Sequence, residues 1–463
     1  MAQVQKAGIT FEQFLLGARG VNTLDPRNIE VVLSSRFRGE DVFNTQSKRK
    51  MRTNEVPDFG LGSRSQCFRP LLGHGIFTQD GEDAMVSRKL LQPQFMETRR
   101  SFGEIQDVIE NFIASISKLL SQDAVDLQPL FFRLTLNTTM AILFGRPLES
   151  MQSKHRGDER HFAEAFDHAQ HVLALRGRLG DLYWIIGGAP FRRSCQTVHD
   201  FVDKIVLDAL QDKKSSAGDS KDRYVFLNAL IESKEMGPKA IRDQLVNILL
   251  AGRDTTACLL SWTFHLLARH PEVQKELRCE CLALPSFKQG KLPTLAEIDG
   301  MKYLHVVLRE VLRLYPSVPI NSREAFQATT LPVGGGANGQ SPILIRKGEA
   351  VGYCPYVLHR RTDIYGADAS SFRPSRWYEP SLKKVDRFAY IPFNEGPRIC
   401  PGQKFALLEA SYTVIRLLQS YQQIAPADDE SLVEEKQIVT LVVQNANGCK
   451  VRLKVCSEIS VDI

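Results

Sequence analysis

The sequence lacks any run approaching the roughly 20 consecutive apolar residues that a membrane-crossing helix needs. Its opening, Met1 to Gly20, is too polar to anchor the chain, and no signal peptide precedes the first periodic segment. Dense runs of Lys and Arg interleaved with aromatics are also missing, so a net charge of +6 does not imply nucleic acid. There is no internal repeat and no long linker. The two small-residue stretches, 213–222 and 333–341, read as surface loops, and one domain over residues 1–463 is expected. A disulfide framework is missing too. The nine cysteines are an odd number in a long chain, which reads as reduced thiols in an intracellular setting. Cys279 and Cys281 stand two apart on a predicted helix and do not face each other, which argues against a metal site there.

What is present is mostly helical periodicity. Residues 9–35 start with short β-like runs broken at Gly17 and Gly20, and then Asp25 and Pro26 open a helix as cap and first residue. From about residue 82 to 280 apolar residues recur three and four apart, as in SFGEIQDVIENFIASISKLL. A further helix over 301–315 stops at Pro316, β-like pieces follow at 329–333 and 341–353, and helix returns at about 402–420. The tail alternates again over 438–444 and 449–455. Long helices with small separate sheets predict a mainly α chain with small β-sheets, an α+β arrangement rather than alternating βαβ units.

Four stretches carry polar chemistry that packing alone does not call for. In FNEGPRICPG, Phe393 to Gly402, one cysteine lies between two prolines, with Asn394, Gly396 and Gly402 as turn formers. Glycine permits close backbone approach, proline stiffens the loop, and free N–H groups at the start of the next helix favour a negative sulfur on Cys400. A structural thiol in a turn and a thiolate presented to a flat partner both remain open. In LREVLRLYP, Glu310 and Arg313 stand three apart on one helix face and can pair. In FRPSRW, Arg376 sits among bulky groups; it is either a surface loop arginine or a buried one that needs the same carboxylate. The helix over 245–271 is apolar nearly all round, yet it holds Asp254, Thr255 and Thr256 just after Gly252. Gly252 thins the helix there and threonine bonded back to the preceding turn bends it, which makes a local groove faced by a hydroxyl and a carboxylate; the cluster is either a satisfied polar kink or a proton relay.

Together, in this order, the four stretches resemble the cytochrome P450 family, the haem-thiolate monooxygenases. The family pattern F-x-x-G-x-R-x-C-x-G is matched by Phe393, Gly396, Arg398, Cys400 and Gly402. E-x-x-R is matched by Glu310 and Arg313, and A-G-x-D-T-T by Ala251, Gly252, Asp254, Thr255 and Thr256. The resemblance runs from about residue 10 to the end. It implies the P450 fold, with haem b between the long interior helix and the cysteine loop. By resemblance Cys400 is the axial ligand of the haem iron, whose thiolate donation favours O–O cleavage. Arg398, Arg323 and Arg88 resemble arginines that pair with haem propionates, Asp254 and Thr255 the acid–alcohol pair that delivers protons, and Glu310, Arg313 and Arg376 a structural triad. The segments AGRDTTACLLSW and HRRTDIYGADASSFRPSRW look like the fungal alkane- and fatty-acid-hydroxylating branch, whose relatives also oxidise secondary metabolites.

The resemblance further implies a small hydrophobic substrate, O2, an NADPH–cytochrome P450 reductase in trans and a place at the endoplasmic reticulum surface. Three departures bear on it. A tryptophan is frequent four residues before the early-helix arginine, where this chain has Ala84; Pro401 follows the cysteine where a residue with an N–H is frequent; and the family's anchor, proline-rich hinge and first helix have no counterpart. A hydroperoxide isomerase or lyase of the haem-thiolate type, or a non-catalytic haem protein, is the alternative. Substrate contacts are expected around 66–78, 165–195 and 315–325, where AFDHAQHVLALRGRLGDLYWIIGGAPF is either ordinary helix packing or a lid over an apolar pocket.

Overall fold

A computed structural model describes residues 8–15, 18–35, 58–97, 102–119, 123–145, 147, 156–215, 226–427 and 435–455. The predicted loop at 213–222 lies largely outside them. Helices of ten residues or more are α1 (Ser63–Leu72), α2 (Gly81–Glu97), α3 (Phe102–Ser117), α4 (Leu127–Phe144), α5 (Arg156–Leu179), α6 (Gly188–Ser215), α7 (Pro238–Arg269), α8 (Pro271–Leu282), α9 (Lys302–Leu314) and α10 (Gln403–Ser420). Strands β1 (Thr10–Leu15), β2 (Ala18–Thr23), β3 (Phe59–Gly60), β5 (Asn321–Ala325) and β8 (Ala350–Tyr353) form one sheet in the order β1-β2-β8-β5-β3. Three smaller sheets pair β6 (Thr329–Gly335) with β7 (Ser341–Ile345), β10 (Gln437–Val439) with β11 (Val443–Asn445), and β12 (Lys450–Val455) with both β4 (Val125–Asp126) and β9 (Tyr421–Pro426). This is the mainly helical α+β arrangement that the periodicity predicts.

Gly20 does not break its strand. It lies inside β2, across from Gln13 on one side and Ala350 on the other, because the ladder to two neighbours outweighs the weak strand propensity of one glycine. Asp25 caps the following short helix as expected, accepting from the Arg27 N–H at 3.0 Å.

α7 is the axis of the molecule. From Leu245 to Leu250 and from Thr256 to Ala268 every residue is buried, as an all-round apolar helix demands. One helical core lies along its C-terminal half with α3, α4, α8, α9 and α10; a second lies along its N-terminal half with α1, α5 and α6. Three buried polar side chains near its start have a specific task. Asp243, Gln244 and Asn247 accept the backbone N–H groups of His74, Ile76 and Phe77 at 2.8, 3.1 and 2.9 Å. They hold the connection from α1 to α2 against the interior helix, within one of the segments expected to meet substrate. Gly252 has a different role from the local thinning expected of it. It turns to α4, where a Cβ would come within 2.5 Å of Thr139 Oγ1, so it sets how closely α4 and α7 approach.

Glu310, Arg313 and Arg376 are fully buried and meet. Arg313 Nε and Nη2 donate to Glu310 at 2.9 and 2.8 Å, and Arg376 Nε donates at 2.8 Å. Trp377 Nε1 and the Arg373 N–H add two more bonds to the same carboxylate, each 3.0 Å. The surface-loop alternative for Arg376 is thereby excluded. The triad ties α9 to the segment that leads into the cysteine loop.

Candidate functional site

The cysteine loop is built by backbone constraint. Asn394, counted among the turn formers, has φ +64° and Gly396 has φ +70°. A Cβ on Gly396 would lie 2.4 Å from the Leu33 carbonyl, so glycine is required there by conformation and by space. Gly402 is different: its φ is −88°, and a Cβ would meet Phe95 at 3.5 Å and Cys400 Sγ at 4.0 Å, which protein neighbours alone would tolerate. The Cys400 N–H donates to the Phe393 carbonyl at 2.9 Å and closes the loop, while Cys400 itself keeps part of its surface open.

Burial raises the Cys400 thiol above its ordinary range, opposed by the Gly402 N–H and the charge of Arg88. The Gly402 N–H, at the start of α10, acts against that desolvation in the sense expected from helix position. Gly402 supplies an N–H donor to the sulfur, while Pro401 has none to give.

Arginines gather from distant parts of the chain. Arg88, on α2, donates to the carbonyl of Ile399, one residue before the cysteine. Arg398 Nη2 donates to Asp80 Oδ1 at 2.8 Å and to the Gln79 carbonyl at 2.9 Å. Arg323, on β5, donates to Asn321 Oδ1 at 3.1 Å. Sequence reasoning missed a fourth, Arg64, in the first turn of α1, whose Nη1 donates to the same Asn321 oxygen at 2.7 Å. Burial, then the charge of Arg323, pushes Arg64 down to about 9. Burial pushes Arg398 down to about 10, with Asp80 opposing and Arg323 and Arg88 reinforcing. Arg88 is lowered by burial as well, with Cys400 opposing and Arg323 reinforcing. A signal for Arg64 existed: a cation in a first helical turn opposes the helix dipole.

On α7, Ala251 and Thr255 lie one turn apart on a face that is only half-buried, and Thr255 Oγ1 donates to the Ala251 carbonyl at 2.7 Å. The Thr255 carbonyl in turn accepts from Ser317 Oγ at 2.8 Å. Asp254 does not share that open face. It is buried, and its Oδ1, without a hydrogen-bond partner among the described residues, lies 3.9 Å from Arg253 Nε. Burial pushes it up to about 6, Arg253 lowers it, Asp167 raises it and the nearby Gln170 amide lowers it. Arg253 is itself paired with Asp167 of α5. A single groove presenting both hydroxyl and carboxylate is thus not what the fold builds, because successive helical residues point about 100° apart.

These features agree with the comparisons. The family model described as cytochrome P450 matches residues 41–451. The chain is 47% identical over 465 residues to a cytochrome P450 of Arthroderma benhamiae, covering 98% of this chain and 85% of that one. The chain belongs to the cytochrome P450 family. It is also 41% identical to cytochrome P450 52A5 of Candida maltosa over 90% of this chain and 77% of that one, and 40% identical to cytochrome P450 monooxygenase g430 of a Fusarium species over 96% and 76%. The solved heme domain of cytochrome P450DA shares the fold, with a TM-score of 0.77 at 21% identity over 98% of this chain and 91% of that one. Its cofactor is haem and its activity that of a P450 monooxygenase.

The residues present fit a haem. Two propionate carboxylates would answer guanidinium charge that, among the described residues, Asp80 alone does not balance, and Cys400, a partly buried residue, carries the sulfur. Cys279 and Cys281 play no such part: the first is exposed, the second buried with its thiol pushed far up by desolvation.

One more titratable group of this P450 escaped the sequence reading. Glu409, on α10, is fully buried, and among the described residues neither carboxylate oxygen has a hydrogen-bond partner, nor does Thr256 Oγ1. Burial pushes it up to about 8, while the approaching Thr138 and Thr256 hydroxyls lower it slightly. The signal was a lone acid between Leu408 and Ala410 in an apolar helix. Since the folded carboxyl titrates near 8 and the unfolded one near 4.5, the unfolded chain releases its proton first as pH rises. The stability this provides is full below pH 4.5 and lost towards pH 8. Glu409→Gln should flatten that slope and leave the variant more stable than the parent by a few kcal/mol at pH 8–9, read from thermal midpoints across the range. Equal slopes would refute the assignment.

Proposed function

We propose that this P450 inserts one atom of O2 into a C–H bond of an aliphatic, hydrophobic substrate, an alkane- or fatty-acid-like chain, with electrons from a separate NADPH–cytochrome P450 reductase at the endoplasmic reticulum surface. A fungal secondary metabolite is the alternative substrate class. The observation that carries the reading is the Thr255 hydroxyl, bonded back to Ala251 on the half-buried face of an otherwise interior helix, with the acid Asp254 buried on another face of the same turn. Exposed apolar side chains at Val318 and Ile320, in the segment after α9, support an apolar substrate. Among the described residues no helix is long and apolar enough to cross a membrane.

In this reading Cys400 holds the haem iron, and Arg88, Arg323 and Arg398 hold its propionates, while Phe393, Gly396 and Gly402 shape the loop. The haem, when bound, supplies oxygen activation, favoured by thiolate donation. Asp254, with its carboxyl raised to about 6, can hold a proton near neutral pH and release it without a large penalty. The Thr255 hydroxyl, on the open face, orients the last proton transfer there, and the Ser317 bond to its carbonyl fixes the turn that presents it.

Thr255→Ala should leave substrate binding intact but divert reducing equivalents, so that hydrogen peroxide released per NADPH consumed rises severalfold and product falls. Unchanged coupling would remove Thr255 from the relay. Turnover of a lipid hydroperoxide without NADPH or O2, at a rate matching the reductase-driven one, would favour the isomerase or lyase instead.

A further inference from the structure

The Thr255 turn has an aromatic neighbour that oxygen insertion does not use. Trp262, on α7, and Tyr315, just past the end of α9, are buried, and their rings stack with centroids 3.8 Å apart and planes 8° from parallel. We propose that this pair is an escape route for oxidising equivalents. When oxygen has been activated and no substrate C–H bond is in reach, Trp262 relays the hole to Tyr315, whose proton passes to Glu435. The route goes beyond monooxygenation and rests on the haem-thiolate reading.

Two links tie the pair to the turn of Thr255. Seven residues separate Thr255 from Trp262, so the two share a helix face, about two turns and roughly 10 Å apart. The segment after α9 runs beside them. Tyr315 stacks on Trp262, and two residues on, Ser317 Oγ donates to the Thr255 carbonyl at 2.8 Å. β11 closes the arrangement: the Val443 carbonyl accepts from Trp262 Nε1, and the Val443 N–H donates to the Ser317 carbonyl, each at 3.0 Å.

The two rings differ in where a proton can go. The Trp262 N–H faces a carbonyl, too weak a base to take it, so an indole that has lost an electron passes the hole on. The Tyr315 hydroxyl donates to both oxygens of Glu435, at 3.0 and 2.9 Å. At rest the phenol keeps its proton, because burial and then the Glu435 charge raise it well above its ordinary range. Once oxidised it is a strong acid with a base already in hydrogen-bond reach. Arg360 lies over the same ring at 5.3 Å and disfavours positive charge there, so the hole rests as a neutral phenoxyl after the proton has left. His265, 3.9 Å from Glu435, is pushed down to about 3 by burial, with Arg269 and His270 reinforcing, and brings no competing charge. Glu435 is 38% exposed, so the proton has a way to water. One electron thus moves from Tyr315 through Trp262 to the activated haem site, and one proton moves to Glu435. A small reductant of the ascorbate class later returns the electron, and Glu435 returns the proton.

The test is freeze-quench electron paramagnetic resonance of the substrate-free ferric holoprotein mixed with peracetic acid, beside the rate of haem bleaching and the reduced CO spectrum. Wild type should show a tyrosyl radical that ascorbate removes. Tyr315→Phe should lose most of that signal, and its haem should bleach severalfold faster. Glu435→Gln keeps an acceptor for the hydroxyl but cannot take its proton, so it too should lose the signal, which a packing role would not predict. Trp262→Phe keeps an aromatic ring in the stack but is harder to oxidise, and should slow the appearance of the radical. Tyr378→Phe, at an exposed tyrosine, should match wild type. A radical and a bleaching rate equal to wild type in Tyr315→Phe or in Glu435→Gln, with the red-shifted Soret band intact, would overturn the route. A wild-type protein without the band would overturn the haem-thiolate reading instead.

Discussion

Cys400→Ser should eliminate the strongly red-shifted Soret band of the reduced CO complex and reduce monooxygenase turnover below detection, with haem content still measurable. The expectation follows from what the substitution spares. The loop is closed by the Cys400 N–H to the Phe393 carbonyl, a backbone bond that serine retains. Its turn is set by Asn394 and Gly396, and its arginines reach Ile399, Asp80 and Gln79 rather than the sulfur. Only the donor atom changes, and an alcohol oxygen neither ionises near neutral pH nor donates charge as a thiolate does. A variant that kept the band would show that another group ligates the iron. Loss of all haem together with loss of fold would show that the sulfur serves packing, the structural alternative the sequence left open.

Glu310→Gln should be the most damaging change away from the site. One carboxylate accepts from two buried guanidiniums, the Trp377 indole and the Arg373 N–H. An amide oxygen accepts fewer bonds, and its NH2 would face donors. Breaking a buried pair by removing one partner costs about 3–5 kcal/mol, a large part of a typical stability of about 5–15 kcal/mol. We expect little soluble, haem-loaded protein, and a thermal midpoint well below the parent in whatever is recovered. Glu379→Gln is the contrast. Its partner Arg373 is 39% exposed and Glu379 44%, so that pair should change stability by less than about 1 kcal/mol. Similar losses for both variants would show that burial does not decide the matter.

These two cases show what a sequence can disclose. The interior helix, the cysteine loop and the helix over 302–314 were readable because periodicity and turn chemistry are local properties. The meeting of Glu310 with Arg376 was readable only as a possibility, since 66 residues separate them and burial is a property of the fold. Gly20 was misread because strand pairing on both sides overrode a local breaker. Gly252 was read as a groove former when its constraint comes from Thr139 on α4, which no spacing within α7 reveals. Asp254 and Thr255 are neighbours in sequence, yet the helix sends them to different surroundings. Arg64 and Glu409 were each visible as an oddity, a cation in a first turn and an acid in an apolar helix. Their meaning needed the partners the fold brings to them, Arg323 and Asn321 for one, Thr138 and Thr256 for the other.

Because α7 serves as a wall for two cores at once, this enzyme has a divided capacity to adapt. A change on the interior helix is felt on both sides, so new preferences for shape or length of substrate have little room to arise there. The connection after α9 is freer: Val318 is 37% exposed and Ile320 60%, and neither belongs to a core cluster. Random libraries selected for altered chain-length preference should therefore accumulate survivors at 318 and 320 and stay nearly silent between 256 and 268.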